Sequence, residues 1–268
     1  MELAHRSTGT HQRAFSLVEL SIVLVILGLL TGGILGGQSL IRAAELRSVT
    51  ADFKRLHTAV FTYRDKYLEL PGDHSRAFDF FSTNCGATAV ACNGNGNGLI
   101  GDVLNGQTHG EGYMAVKHLA LAGLIEGSYT GLPSTPAVPG GNVIASRINS
   151  AVFWLWFFKE GTYFQNGCCT TDTTAQYNWI HFGAIVPAGT WPSNYSLKPE
   201  EAWNIDTKVD DGMPGLGRVR TVKWQAESNV NIACTTPVTT TASSIAASST
   251  YLLSNTGTNC SLIMNTGI

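Results

Sequence analysis

A single carboxylate, Glu19, stands inside an otherwise uncharged apolar run, FSLVELSIVLVILGLLTGGILGGQSLI, at residues 15–41. An ionised group taken into an apolar phase is costly unless a positive partner meets it there. Glycines repeat every four residues further along the run, at Gly28, Gly32 and Gly36, with Gly33 and Gly37 beside them. That spacing suits close helix–helix packing or local softening of a helix, and it also suits simple tolerance of small residues.

Other sets carry weaker chemistry. Gly96-Asn97-Gly98-Leu99-Ile100-Gly101 fits GxGxxG, but a dinucleotide site needs that motif between a strand and a helix, and here it follows Cys92 in a loop. Asn93, Asn95 and Asn97, then Gly98 and Ile100, copy the spacing of an EF-hand-type calcium loop, with Asp102 able to add a carboxylate. Three neutral amides stand where aspartates are usual, and the twelfth position is Leu104, so a plain Gly-Asn turn is the simpler reading. Asp206, Asp210 and Asp211 precede Gly212 at the expected end of a helix, where acids face the negative pole of the dipole. Either Asp-Gly forms a turn there, or the acids are compensated by a cation or by Lys208 and Arg218. His109, Glu111 and His118 lack metal-site spacing and read as a surface histidine and a helix-start glutamate. No GxSxG, P-loop or paired-carboxylate motif is present, and the chain reads as a non-enzyme.

The element that must position Glu19 is the run itself. About 27 residues at 1.5 Å each make roughly 40 Å of helix, enough for a bilayer core of about 30 Å. The run is too long for an ordinary signal peptide. A plain membrane anchor has no use for the carboxylate. Before the run lies a polar segment, MELAHRSTGTHQRA, carrying Arg6 and Arg13. Arg13-Ala14, then Phe15-Ser16-Leu17-Val18-Glu19-Leu20, then the apolar run, resemble the type IV pilin and type II secretion pseudopilin family. The resemblance implies cleavage before Phe15 by a membrane aspartyl prepilin peptidase and N-methylation of Phe15. It also implies that Glu19 pairs with the N-terminal amine of a neighbouring subunit during assembly. The family has Gly before the cut, where this chain has Ala14.

After Arg42 the pattern turns amphipathic. Leu46, Val49, Phe53, Leu56, Val60, Tyr63 and Tyr67 alternate spacings of three and four, one apolar face of a helix. Leu70-Pro71-Gly72-Asp73 stops it, so residues 15–70 read as one spine of about 84 Å. Residues 74–110 read as mostly loop, 111–125 as a short helix and 130–141 as a connector. Residues 151–158, 178–186 and 217–225 read as strands, 199–209 as a helix opened by Pro199, and 261–264 as a last apolar turn. Ten of residues 235–250 are Ser or Thr, which favours an exposed loop. The fold class is α+β: a long spine helix packed on a small antiparallel sheet, as the resemblance also implies. The divisions are a leader at 1–14, a membrane or filament-core helix at 15–41, an amphipathic half at 42–70 and a globular domain at 71–268. Within the last, LEL-PGD, HLALAGLIEGSYTG and EAWNIDTKVDDGMPGLG resemble segments of long pilin-like proteins associated with type II secretion.

Charged residues make up 13% of the chain, against about 25% in ordinary soluble domains, and the net charge is −2. Bulk attraction to nucleic acid is therefore not expected. Six cysteines on the exported side of a membrane anchor suggest disulfides, with Cys85–Cys92 and Cys234–Cys260 the best pairs. Cys168 and Cys169 are adjacent and could stay reduced, bond each other or exchange with the first pair. The resemblance implies a structural subunit of a secretion pseudopilus or pilus in the bacterial inner membrane. Its domain would be periplasmic, and its partners a prepilin peptidase, other pilin or pseudopilin subunits and an inner-membrane assembly platform. It requires no cofactor, and some family members bind calcium. Its length favours a minor subunit or pseudopilin. The alternative is a membrane-anchored minor pilin acting as an adhesin or DNA-binding tip.

Overall fold

The computed structural model describes residues 16–101, 110–134, 136–159, 176–186, 194–222, 233–236, 245 and 248–268. It divides into two compact units, 1–44 and 45–268, and helix α1 (Leu17–Tyr67) contributes to both. In the first unit no side chain of residues 17–41 is buried. In the second, the stripe expected from spacing is the buried face of α1: Val49, Phe53, Leu56, Val60 and Tyr63 are fully buried, and Ala59 nearly so. Leu46 and Tyr67 flank it, partly buried.

The helix stops at Tyr67, three residues before Leu70. Leu68 turns to φ 62°, and its N–H still reaches the Arg64 carbonyl at 2.7 Å. Gly72 then takes φ +85°, and a Cβ there would strike the carbonyl of Glu111. Only glycine meets both demands. The span read as mostly loop contains helix α2 (Ala77–Phe81) and two single 3₁₀ turns, Ser82–Asn84 and Ala89–Ala91. Helix α3 (Gly110–Leu121) follows.

The main sheet has five antiparallel strands: β1 (Ile144–Ala145), β2 (Ala151–Lys159), β3 (Gln176–Ala184), β4 (Val219–Thr221) and β7 (Leu262–Asn265), in the order β1-β2-β3-β7-β4. The segment expected to be a last turn is therefore an inner strand, β7, with Met264 paired to Ile180 on one side and Val219 on the other. Of the strand expected over 217–225, β4 covers Val219–Thr221, and 223–225 lie outside the described residues. A separate ribbon joins β5 (Thr235–Thr236) to β6 (Thr250–Tyr251).

Both faces of the main sheet are buried over residues 151–156 and 178–183, which is why AVFWLW is an unbroken apolar run rather than an alternating one. Phe153, Leu155, Ile180, Phe182, Leu262 and Met264 face the core shared with α1. Phe53 meets the ring of Phe153 edge-on at 5.2 Å and that of Phe182 at 6.1 Å. Val152, Trp154, Trp156, Trp179 and Ile263 build a second cluster with Tyr113 of α3.

Helix α4 (Pro199–Val209) begins where Pro199 marked it, and Glu201 accepts the Lys198 N–H at 2.9 Å. Cys85–Cys92 and Cys234–Cys260 are both disulfide-bonded, with Cα separations of 5.3 and 5.1 Å. The second ties the β5–β6 ribbon to the strand entering β7. Cys168 and Cys169 lie outside the described residues.

Candidate functional site

The head of α1 is the first candidate. The Leu, Ile and Val side chains of residues 17–41 stand exposed in the single chain. Burying each such side chain is worth about 1.5–3 kcal/mol. Together they forgo more than the roughly 5–15 kcal/mol that holds a whole domain folded. The helix is long and apolar enough to cross a membrane. Its hydroxyls are satisfied within the helix. Ser21 donates to the Val18 carbonyl at 2.9 Å, Thr31 to Leu27 at 2.8 Å and Ser39 to Gly36 at 2.9 Å. A polar group satisfied inside its own helix is compatible with hydrocarbon.

Glu19 lies in the first turn. One of its oxygens, Oε2, accepts the N–H of Ser16 at 2.9 Å, while Ser16 Oγ accepts the N–H of Val18 at 3.3 Å. Ala14 and Phe15, the expected cleavage pair, lie outside the described residues. No atom lies within 4 Å of a Cβ built on Gly28, Gly32 or Gly36, nor on Gly33 or Gly37. Nothing in the described chain needs these positions to be small, and any use of their smallness falls to another molecule.

The asparagine loop is organised around anions. Asn93 Oδ1 accepts the Phe78 N–H, Asn95 Oδ1 that of Asn97, and Asn97 Oδ1 that of Leu99. The three oxygens thus serve three backbone donors. What the loop surrounds is the carboxylate of Asp73, which accepts N–H bonds from Gly96 and Gly98 at 2.7 Å and from Asn97 at 3.0 Å. Buried Glu111 accepts from Asn95 and Gly101, both at 3.1 Å. N–H groups pointing inward suit a carboxylate, and the asparagine oxygens here serve the backbone. Burial pushes the Asp73 carboxyl above its ordinary range, against the pull of those N–H bonds. Asp102 lies outside the described residues.

Asp206, Asp210 and Asp211 do come together, each offering an oxygen within 4.8 Å of the others. Among the described residues they are the one trio of acids close enough to share a cation. Asp206 is fully buried and accepts from Tyr251 Oη at 2.8 Å and from the Gly212 N–H at 3.3 Å. Asp210 accepts the N–H groups of Arg218 and Val219, and Asp211 that of Met213. Arg218 therefore compensates through its backbone. Its guanidinium donates instead to His57 Nε2 at 2.8 Å.

Burial pushes the Asp206 carboxyl up to about 7, Tyr251 and Gly212 oppose the rise, and Asp211 and Asp210 add to it. In the unfolded chain the group would lose its proton near the ordinary carboxylate value of about 3.9. The folded state thus holds the extra proton, and its contribution to stability is lost as pH rises from about 4 through about 7. Asp206→Asn is expected to flatten this decline and to stabilise the chain above pH 7 by about 1–4 kcal/mol. Thermal melts across pH 4–8 check it, and a wild-type stability that rises through that window contradicts it.

His118 is fully buried, which corrects its reading as a surface residue. Its ring stacks on Tyr63 at 6.0 Å. The Gly72 N–H donates to its Nδ1 at 3.0 Å, so the proton sits on Nε2, which donates to the Cys92 carbonyl at 3.2 Å and lies 3.2 Å from Cys85 Sγ. Burial holds the ring neutral, with a pKa pushed down to about 3. Cys85, Cys92 and His118 resemble a metal set in outline. Their sulfurs are bonded to each other and the imidazole has no lone pair left to give, so the cluster is structural. His109 lies outside the described residues.

The buried roles of Asp73, Glu111 and His118 were not legible because their partners lie 10 to 46 residues away along the chain. Ser16 had a legible signal, the Ser-x-x-Glu pattern opening an apolar helix. No curated protein and no solved structure matches the chain. Residues 9–35, which hold Ser16, Glu19 and the start of the exposed apolar helix, match the prokaryotic N-terminal methylation motif, the prepilin-type cleavage and methylation segment of type IV pilins and pseudopilins.

Proposed function

We propose that the chain is a pilin-like structural subunit of a type II secretion pseudopilus or type IV pilus. A prepilin peptidase processes it before Phe15, and it assembles helix to helix. One observation carries this reading: the methylation motif runs directly into an apolar helix with no buried side chain between residues 17 and 41. Such a helix needs either lipid or neighbouring helices around it. Before assembly the subunit resides in the inner membrane, with residues 45–268 on the periplasmic side. There the two disulfides form in an oxidising compartment. Assembly exchanges lipid for adjacent apolar helices, and Glu19 meets the amine of a neighbour's Phe15. The chain performs no catalysis in this role.

Processing is the direct test. Mass spectrometry of the chain purified from membranes of cells holding a prepilin peptidase is expected to find Phe15, methylated, at the N-terminus. An intact Met1 under the same conditions overturns the processing step. Crosslinking between cysteines placed along residues 17–41 is expected to give ladders of multimers, whereas a lone anchor gives none.

A further inference from the structure

We infer that Ser16 is a positioning residue for Glu19, holding its carboxylate at the head of the helix so that one oxygen is presented to the incoming amine. This rests on the assembly reading above. The Ser16 carbonyl accepts the Leu20 N–H at 3.1 Å, the first bond of the helix, which makes Ser16 the cap residue. The first N–H groups of any helix lack partners within it, and in hydrocarbon an unsatisfied donor is costly. Here two liabilities cancel. The Ser16 N–H, which would be bare, donates to Glu19 Oε2, and the Val18 N–H donates to Ser16 Oγ.

The bond fixes the rotamer of Glu19. Its side chain is folded back along the helix toward the N-terminus. Oε2 is held by the backbone, and Oε1 has no hydrogen-bond partner among the described residues. An acceptor already held in place loses less rotamer freedom on pairing than one that must first be ordered. The contact does not involve the Ala14–Phe15 peptide, so cleavage leaves the Ser16 N–H intact. The chain therefore carries its positioned carboxylate both before and after processing. Without such a bond Glu19 would sample the lipid side of the helix, and each encounter with an amine would have to reorder it.

Because the positioning donor is a backbone N–H, only proline at this position removes it, whereas alanine removes the hydroxyl alone. In the full-length chain, Ser16→Pro is expected to lower multimer recovery about tenfold at equal processing, with Ser16→Ala within about twofold of the unmodified chain. A tenfold loss corresponds to about 1.4 kcal/mol. Should proline block cleavage, amide hydrogen exchange at Ser16 in detergent micelles decides instead. Exchange is expected about tenfold faster in Glu19→Ala than in the unmodified chain, with Glu19→Gln staying slow because its amide oxygen still accepts. Equal exchange in all three, or normal assembly of a processed Ser16→Pro chain, overturns the inference. Normal assembly of Glu19→Ala would instead overturn the assembly role of Glu19, and the exchange result would stand apart from it.

Discussion

Glu19→Ala is expected to leave the subunit inserted in the membrane and to cut its recovery in multimers at least about tenfold. The two halves of this result have opposite physical signs. Removing a carboxylate from an apolar helix makes residence in lipid easier. Removing it from a desolvated pair takes away an interaction worth roughly 1.5–7 kcal/mol, and about 1.4 kcal/mol is already tenfold. Glu19→Gln separates charge from shape. Its amide can keep the Ser16 N–H bonded but offers no charge to an amine, so it too is expected to insert and fail to assemble. Membrane fractionation measures insertion, and cysteine crosslinking along the helix measures assembly. A Glu19→Ala chain that crosslinks as well as the unmodified one removes ion pairing from the mechanism.

Phe53→Ala is expected to destabilise the unit formed by residues 45–268 by about 3–5 kcal/mol, the usual cost of deleting a buried phenylalanine ring. Phe53 is fully buried, and its ring packs edge-on against the contacting pair Phe153 and Phe182. Its neighbours Phe153 and Phe182 are themselves fully buried and packed on each other at 4.8 Å, so they are held away from the space. That cost is a large share of the roughly 5–15 kcal/mol by which a typical domain is stable. Denaturant titration in detergent, followed by the fluorescence of buried Trp154, Trp156 and Trp179, reads the change. Leu35→Ala is the contrast: Leu35 is 68% exposed on the same helix and is expected to move the midpoint hardly at all. A Phe53→Ala chain within about 1 kcal/mol of the unmodified one contradicts the packing of α1 on the sheet. With both outcomes as expected, one helix serves two interfaces. Residues 17–41 face molecules outside the chain, and residues 45–67 face its own sheet.

What the amino-acid sequence determined by itself was whatever depends on local period and local chemistry. A run of apolar residues declares its need for an apolar environment in any fold, and a lone glutamate within it declares a need for a partner. The three-and-four spacing from Val49 to Tyr63 places those residues on one side of any helix they form, so the buried face of α1 was legible. Pro199 with Glu200 and Glu201 opened α4 for reasons contained in four residues.

Only the tertiary structure decided the rest, because the deciding partners are remote. Four residues, Leu262 to Asn265, are too few to show a strand period, and they become an inner strand because β3 and β4 offer donors and acceptors on both sides. Asn93, Asn95 and Asn97 carry the spacing of a cation loop. Asp73 and Glu111 arrive from outside the loop and turn its N–H groups inward. His118 resembled a surface residue until the chain end of α1, the Gly72 turn and the Cys85–Cys92 bond closed around it. A buried polar group is tolerated only when its hydrogen bonds are met. Here the groups that meet them stand far off in sequence, where no local pattern can report them.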